Sequence, residues 1–342
     1  MTLLPRASSQ IAQIKEARAF FAANPDVDAV DLIFTNMCGV PRGKRLRRHE
    51  VLAVYESGRF LPGSVLVVDI TGRDTEETGL VWEDGDADRH VKPVPGTLVR
   101  APWLGKGAAQ FLTSFYELDG TPNDLDPRHV LGRVVDRLAE RGLTPVVAVE
   151  LEFYLVDATG GQVLPARGLA SGHRGADIQV YGLRELQDFR PFFDDLYTAC
   201  DAQGLPLESA ISEYAPGQFE LTLRHKPDAL RATDEAVMYK RLVKGVAMAH
   251  GFEVLAGMLH GIEHGIDPGP AVVGNGYEAP EAATRLPNNW AAAIDAFAAS
   301  TEMNLYLGER FVQHFSTVKR VEMANFMAGV TSADYDWYLR SA

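Results

Sequence analysis

The chain has 342 residues, and 33 Lys and Arg against 46 Asp and Glu give a formal net charge of −13. A hydrophobic fraction of 46% and a charged fraction of 23% are typical of globular proteins and exclude a disordered chain. Nucleic acids and anionic membranes are disfavoured as partners, because both repel an acidic protein. We therefore expect a globular protein with neither a nucleic-acid nor a membrane partner.

The two cysteines, Cys38 and Cys200, lie far apart and form no CxxC pair. A secreted disulfide framework needs more cysteines, so a reducing compartment is the simpler expectation. The first residues lack the apolar segment of a signal peptide, and no apolar run approaches the roughly 20 residues that span a bilayer. We expect the protein in the cytoplasm.

The first third of the chain predicts a small, mostly β module with a leading helix. Periodic apolar residues predict the helix over 11–23, and the break at Pro25 ends it. A β-rich stretch over 27–35, a turn at Gly39 and a return strand from Gly43 follow. The remaining predicted strands cover 65–70, 80–82 and 97–103, and the whole module covers 1–113.

A cluster of basic residues lies on the return strand. On its own it resembles a nucleic-acid patch, but the net charge favours a solvated edge strand or a subunit contact. The cluster consists of Arg42, Lys44, Arg45, Arg47 and Arg48.

The remainder, 114–342, predicts a second domain in which strands and helices alternate. The turn-rich segment 119–124 favours a domain boundary, and Pro127 begins a helix that Gly142 ends. Alternating strands and helices favour a layered α+β or α/β architecture. The predicted strands cover 145–156, 208–213 and 218–223, and the predicted helices cover 184–203, a long segment from 228 and most of 288–336.

The most informative feature of this domain is a strand that carries two carboxylates. Alternate residues of a strand share a face, so Glu150 and Glu152 project together while Leu151 and Phe153 pack behind them. Two adjacent carboxylates on a buried strand repel each other unless a cation neutralises them. An edge strand with one solvated face is the alternative explanation.

A second pair of carboxylates lies downstream. The turn at Pro216 and Gly217 joins two predicted strands, so Glu213 and Glu220 can face each other across a hairpin. Together with Glu150 and Glu152 they could converge on one hard cation. Oxygen ligands of this kind suit Mg²⁺ or Mn²⁺ better than Zn²⁺.

Segments in order over nearly the whole chain carry a family resemblance. They are Gly39-Val-Pro-Arg-Gly-Lys44, Glu150-Leu-Glu-Phe-Tyr-Leu155, Ser212-Glu-Tyr-Ala-Pro-Gly-Gln-Phe-Glu220, Lys240-Arg-Leu-Val-Lys244 and Gly261-Ile-Glu-His-Gly-Ile-Asp-Pro-Gly-Pro270. With these segments the chain resembles the glutamine synthetase superfamily, specifically its glutamate–amine ligase branch of the gamma-glutamylpolyamine synthetase type.

The resemblance implies an α+β fold, with an N-terminal β-grasp module over 1–113 and a catalytic domain over 114–342 built on a curved antiparallel sheet. It implies ATP-dependent joining of the glutamate γ-carboxyl to ammonia or an amine through a γ-glutamyl phosphate, with Mg²⁺ or Mn²⁺. The segment 59–64 lacks the Asp-Gly-Ser-Ser pattern of ammonium-using members, which favours an amine. Because family active sites lie between subunits, we expect a homo-oligomer.

The resemblance also implies roles for individual residues. Glu152, Glu213 and Glu220 correspond to ligands of one family metal site, and Glu150 to a ligand of the second. Glu208 corresponds to a nucleotide-contacting position, and His225 lies near where the family packs the nucleotide. No catalytic residue is assigned.

A departure from the family pattern falls between Phe252 and Gly257. The family's Gly-x-Gly-x-His-x-His segment and its later arginines are missing, so the catalytic domain is expected to be truncated internally around 253–257. On the order of a hundred residues, a domain's worth, would be absent. Phosphoryl transfer needs cationic groups around the triphosphate, so we expect an impaired enzyme or one that a complete subunit must complement.

Two alternatives remain from the sequence. The chain could be a non-catalytic regulator or assembly component that keeps the family fold. A more distant alternative is a zinc peptidase, because His260 and His264 match an H-x-x-E-H pattern with both histidines on one helix face. No third zinc ligand is evident nearby.

Overall fold

The computed structural model of the protein describes residues 10–157, 163–178, 180–258 and 287–329. Strands β1–β6 of the first part are Ala29–Thr35, Pro41–Arg47, Arg59–Pro62, Asp88–Pro93, Val99–Arg100 and Ala108–Tyr116. Strands β7–β11 are Leu151–Asp157, Leu164–Pro165, Leu207–Ser212, Gln218–Leu223 and Glu253–Met258. Helices α1–α9 are Ile14–Ala23, Arg48–Ser57, Pro127–Glu140, Leu183–Asp188, Arg190–Gln203, Ala229–Ala249, Trp290–Ala299, Thr301–Leu307 and Glu309–Met327.

The first sheet has the order β2-β1-β6-β4-β3, with β5 paired to β6. Its central pair, β1 and β6, is parallel, while β1–β2 and β3–β4 are antiparallel. The basic cluster lies on β2 and the start of α2, and β2 is the edge strand that the sequence suggested. Helices α1 and α2 cover one face of this sheet with buried side chains such as Phe21, Val51 and Val54.

The second sheet has the order β11-β7-β10-β9, with β8 paired to β7, and all its pairings are antiparallel. Its core face carries Phe153 and Phe219, each 1% exposed. Helices α5 and α6 cover this face through residues such as Phe192 and Tyr239, which the structure places in the same buried cluster. The opposite face therefore carries the alternating polar side chains of β7 and β10.

Capping residues explain where the two central helices begin. Asp126 precedes α3 and accepts the backbone N–H groups of Arg128 and His129. Asp228 precedes α6 and accepts the N–H of Arg231. Because carboxylate caps satisfy backbone donors that have no partner inside a helix, both starts follow from the sequence.

Two ion pairs anchor α6, one to the first module and one to α3, and we refer to them as the junction. Arg241 of α6 bonds to Asp31 of β1, which Arg45 also contacts at 2.7 Å. Arg128 of α3 bonds to Asp234 of α6 through both carboxylate oxygens, at 2.9 and 3.1 Å. Asp234 is only 6% exposed, so this second pair is a buried one.

The late helices return to the first module. Phe311 and Val318 of α9 belong to the same buried cluster as α1 and α2. Glu322 accepts the Cys38 thiol at 3.0 Å and the Ile70 N–H at 2.7 Å, and it pairs with Lys319 at 2.8 Å. Early and late parts of the chain are thus packed together. None of the described helices has the length and apolar character needed to cross a bilayer.

The α+β architecture is confirmed, while several predicted elements are wrong in detail. The apolar stretch predicted as a strand over 65–70 begins in a 3-10 turn, Gly63–Leu66, and residues 80–82 form turns. The segment predicted as one helix over 184–203 divides at Phe189 into α4 and α5. The proposed boundary between residues 113 and 114 stays a prediction, and both residues lie within β6.

Candidate metal centre

Three glutamates of the second sheet come together on the face opposite the core. Glu220 of β10 is the register partner of Glu152 of β7, and Glu213 directly follows β9. One carboxylate oxygen from each of the three lies within 4.8 Å of the others. We call these residues the glutamate triad. The alternation of β7 and the hairpin between β9 and β10 produce it, and the role of these residues as metal ligands stays a prediction.

The turn between β9 and β10 brings Glu213 back towards Glu220. Gly217 has φ +76, and a Cβ at this position would lie 2.8 Å from the carbonyl oxygen of Leu155. A side chain would therefore be strained and would clash with β7. The Leu155 N–H donates to the Gly217 carbonyl oxygen at 2.8 Å, which fastens the turn to β7.

Gln218 holds one member of the triad, a role the sequence interpretation missed. Its Nε2 donates to Glu152 Oε2 at 2.8 Å, and its Oε1 accepts the Ala215 N–H at 3.0 Å. Because the Ala215 N–H can only donate, it fixes which end of the amide faces Glu152. The available signal was the alternation of β10, which places Gln218 on the same face as Glu220.

Electrostatics show that the triad is a site of like charge. Burial raises the pKa of Glu220 above its usual 4.5, and the charges of Glu150, Glu213 and Glu152 raise it further. Within the described ranges, no Lys or Arg forms an ion pair with any triad carboxylate. A divalent cation would relieve this repulsion, and the all-oxygen donor set fits Mg²⁺ or Mn²⁺.

The other predicted ligands lie outside the triad. Glu150 precedes β7 and is exposed, although its charge reaches Glu220. Glu208 is exposed and bonds to Arg224 at 3.1 Å, and His225 is exposed just after β10. The structure therefore does not bring the two proposed nucleotide contacts into the triad. His260 and His264, the basis of the zinc-peptidase alternative, lie outside the described residues.

The family model described as glutamine synthetase, catalytic domain, matches residues 124–254 and 253–338, more than half of the chain. The chain belongs to the glutamine synthetase family. The two matched segments meet at residues 253 and 254, where the sequence departs from the family pattern.

Two of the similar proteins are named as synthetases of gamma-glutamyl compounds. Gamma-glutamylputrescine synthetase PuuA of Escherichia coli is 37% identical over 239 residues, which cover 69% of this chain and 50% of the relative. Gamma-glutamylethanolamide synthetase GlnA4 of Streptomyces coelicolor is 31% identical over 246 residues, 70% of this chain and 52% of the relative. The chain thus spans about half the length of these relatives.

A solved structure supports the same fold. The apo form of GmaS aligns with a TM-score of 0.75 over 94% of this chain and 99% of that chain, at 17% identity. At this identity the likeness concerns the fold alone. It extends over both the first module and the second sheet, because it covers nearly all of the chain.

Proposed function

We propose that the glutamate triad binds Mg²⁺ or Mn²⁺ and that the chain descends from a ligase joining the glutamate γ-carboxyl to an amine at the expense of ATP. The observation that carries this proposal is the convergence of Glu152, Glu213 and Glu220 within 4.8 Å on one face of the second sheet. The family membership supports it, and the names of PuuA and GlnA4 favour an amine over ammonia.

The chemistry proposed for the triad is electrostatic. A bound divalent ion would neutralise negative charge on phosphoryl oxygens as the γ-carboxyl is phosphorylated. Gln218 would keep Glu152 in place by holding one of its oxygens, and the Ala215 N–H would keep the Gln218 amide oriented. Glu150 is proposed for a second metal, and Glu208 and His225 are proposed as nucleotide contacts.

We further propose that catalysis by this chain alone is impaired. The chain spans about half of its named relatives, and the family model matches in two segments that meet at 253 and 254. A missing internal stretch would remove groups that hold phosphate and glutamate. Losing even one preorganised donor costs about 10²–10³ in rate, so losing several would abolish measurable turnover.

Measurements of metal binding and of turnover test the proposed metal site and the proposed impairment separately. Mn²⁺ titration of the purified chain by calorimetry should show one strong site that Glu152→Gln removes. The exposed Glu140 at the end of α3 gives the control Glu140→Gln, which should bind as the parent does. Absence of Mn²⁺ binding by the parent chain would overturn the metal site.

Turnover is then measured with ATP, glutamate and putrescine, following ADP and the γ-glutamyl product by mass spectrometry. We expect metal binding without product. Product formed by the chain alone, above the Glu152→Gln background, would show that the chain is a competent ligase and would overturn the proposed impairment.

A non-catalytic role in an assembly is the second candidate. The packing of α9 against the first module favours it, because both ends of the family fold are kept. We propose a homo-oligomer, and light scattering coupled to size-exclusion chromatography measures it. A stable oligomer that binds Mn²⁺ without turnover supports this role, and a monodisperse monomer contradicts it.

A further inference from the structure

A pocket of about 260 Å³ lies where the basic cluster of β2 meets α6. Helix α6 covers the core face of the second sheet, whereas the glutamate triad lies on the opposite face of that sheet. The pocket is therefore separate from the proposed metal site. The charged residues of its wall are Asp31, Arg42, Lys44, Arg45 and Arg241.

The charges on this wall are unbalanced. Four of the five charged side chains are cationic, and only Asp31 is anionic. The whole chain has a net charge of −13, so the excess of positive charge is local and opposite in sign to that of the protein. A cleft lined by one sign of charge focuses the electric field and concentrates counter-ions. The pocket therefore attracts anions.

The carboxylate of Asp31 does not neutralise the wall, because two guanidinium groups share its single charge. Arg45 donates to both carboxylate oxygens at 2.7 and 3.2 Å, and Arg241 also donates to Oδ2. Arg241 donates a second bond to Gln110. A guanidinium carries five N–H donors, so both arginines keep donors for a further acceptor. Their bonds to Asp31 also hold the two groups close together.

The other two cations add charge that no carboxylate offsets. Arg42 donates to the Asp69 carbonyl oxygen at 3.0 Å, which occupies a donor but leaves its charge in place. Within the part of the chain that the structure describes, the exposed Lys44 ammonium has no hydrogen-bond or ion-pair partner. Three of the four positive charges therefore lack a compensating negative charge on the wall.

The pocket has room for an anion with several charged groups. Gly43 pairs with Ile33 in the ladder and shares a face with Arg45 and Asp31, so no side chain fills the space beside Arg45 on this strand. One water needs about 10–15 Å³ of such a cavity, and 260 Å³ is many times that volume.

We propose that this pocket binds a compact polyanion, a small molecule with two or more phosphate or carboxylate groups. The free N–H groups of Arg45 and Arg241 bind its oxygens, and Arg42 and Lys44 supply further positive charge. Planar guanidinium groups match both phosphate and carboxylate oxygens. A monovalent anion would neutralise only part of the excess charge. Binding here is independent of the proposed ligase chemistry, because it requires neither the triad nor a metal.

Calorimetric titration of the full chain with pyrophosphate, citrate and acetate tests the proposal. A chelating resin first removes divalent metal, so that no cation at the triad can hold the anion, and the ionic strength is kept constant. We expect one site at which pyrophosphate or citrate binds at least about tenfold more tightly than acetate. The tighter of the two polyanions shows whether phosphate or carboxylate groups are preferred. Affinity should fall as NaCl is added, because salt screens exposed charges.

Two arginines of β2 provide a matched pair of variants. Arg45→Met should weaken polyanion binding at least about tenfold, the usual effect of losing a hydrogen bond to a charged group. Arg47→Met is the control, because Arg47 lies on the same face of β2, pairs with Asp28 and is absent from the pocket wall. It should bind as the parent does. Lys44→Met should give a smaller loss, and it also tests the pocket if circular dichroism shows that Arg45→Met does not fold.

Three results would each overturn the proposal. They are the absence of pyrophosphate and citrate binding by the parent chain, acetate binding as tight as that of the polyanions, and equal losses in Arg45→Met and Arg47→Met. The first result would leave the basic cluster as a solvated edge strand or a subunit contact.

Discussion

Asp31 of the junction and Glu220 of the glutamate triad have pKa values shifted in opposite directions. At the junction, burial alone would raise the pKa of Asp31, but the bonds from Arg45 and Arg241 outweigh it and hold the pKa below its usual value. At the triad, burial and neighbouring carboxylates raise the pKa of Glu220. Both side chains lie on sheets. The difference is that the protein supplies arginines to Asp31, whereas no Lys or Arg of the described residues forms an ion pair with a triad carboxylate.

The largest effect is expected at the junction. Arg128→Met would leave Asp234, 6% exposed, as a buried charge without its bidentate partner. Breaking a buried pair in this way costs about 3–5 kcal/mol of unfolding free energy. Urea unfolding followed by circular dichroism measures it.

The control for this substitution is an ion pair of the same chemistry on the surface. Arg190 and Asp194 of α5 pair at 3.4 Å with side chains 77% and 64% exposed. Arg190→Met should cost less than about 0.5 kcal/mol. Equal losses of unfolding free energy in Arg128→Met and Arg190→Met would contradict the view that burial makes the Arg128–Asp234 pair important for stability.

Removing a charge at the triad should raise the free energy of unfolding, whereas removing one at the junction lowers it. Glu220→Gln removes the carboxylate that three others repel, so the metal-free chain should become more stable to urea. The same change removes a proposed ligand, and Mn²⁺ affinity should fall by more than about 100-fold, beyond the typical cost of losing a supporting group. A destabilised metal-free variant would show that the triad is not under electrostatic repulsion.

A smaller effect is expected at the residue that positions Glu152. Gln218→Leu keeps the approximate size of the side chain but removes the bond to Glu152 Oε2. Loss of such a supporting group costs about 10–100-fold in metal affinity. Calorimetric Mn²⁺ titration measures it, and Thr222→Val, on the same face of β10 but outside the triad, is the control. Unchanged Mn²⁺ affinity in Gln218→Leu would show that Gln218 does not support metal binding.

The smallest effect concerns pH. The raised pKa of Glu220 contributes stability that is complete below pH 4.5 and is lost as pH rises through the raised value. The lowered pKa of Asp31 contributes stability above pH 3.8 that is lost as pH falls. As pH rises from 4 to 7, Glu220→Gln should therefore gain stability relative to the metal-free parent. Asp31→Asn should be less stable than the parent throughout that range, and this deficit should shrink only as pH falls below 3.8. Urea unfolding from pH 2 to pH 7 measures both trends, and a change of both variants in the same pH range would contradict the prediction.

Much of the second sheet could be predicted because its signals are local. The alternation around Glu152 and the turn at Gly217 predict the triad, and Asp228 predicts the start of α6. Glu150 shows the limit of this reasoning. It shares the predicted face with Glu152, yet β7 begins one residue later, at Leu151, and Glu150 lies in solvent.

The first module was harder to predict because its pairing is not local. The central β1–β6 pair joins residues about eighty positions apart in parallel, and no short-range pattern encodes such a partner. Helix α2 was missed although Val51, Val54 and Tyr55 are buried at helical spacing. The apolar run at 65–70 was predicted as a strand because burial alone does not distinguish strands from turns.

The bond between Cys38 and Glu322 spans 284 positions of the chain. Since Phe311 and Val318 belong to the core of the first module, that core is incomplete when the first module leaves the ribosome. Domains are generally able to fold in the order of their synthesis, but this module must wait for α9. Synthesis of α9 is thus the event that completes the core of the first module, and a nascent chain stopped before α9 would expose apolar surface to chaperones and proteases.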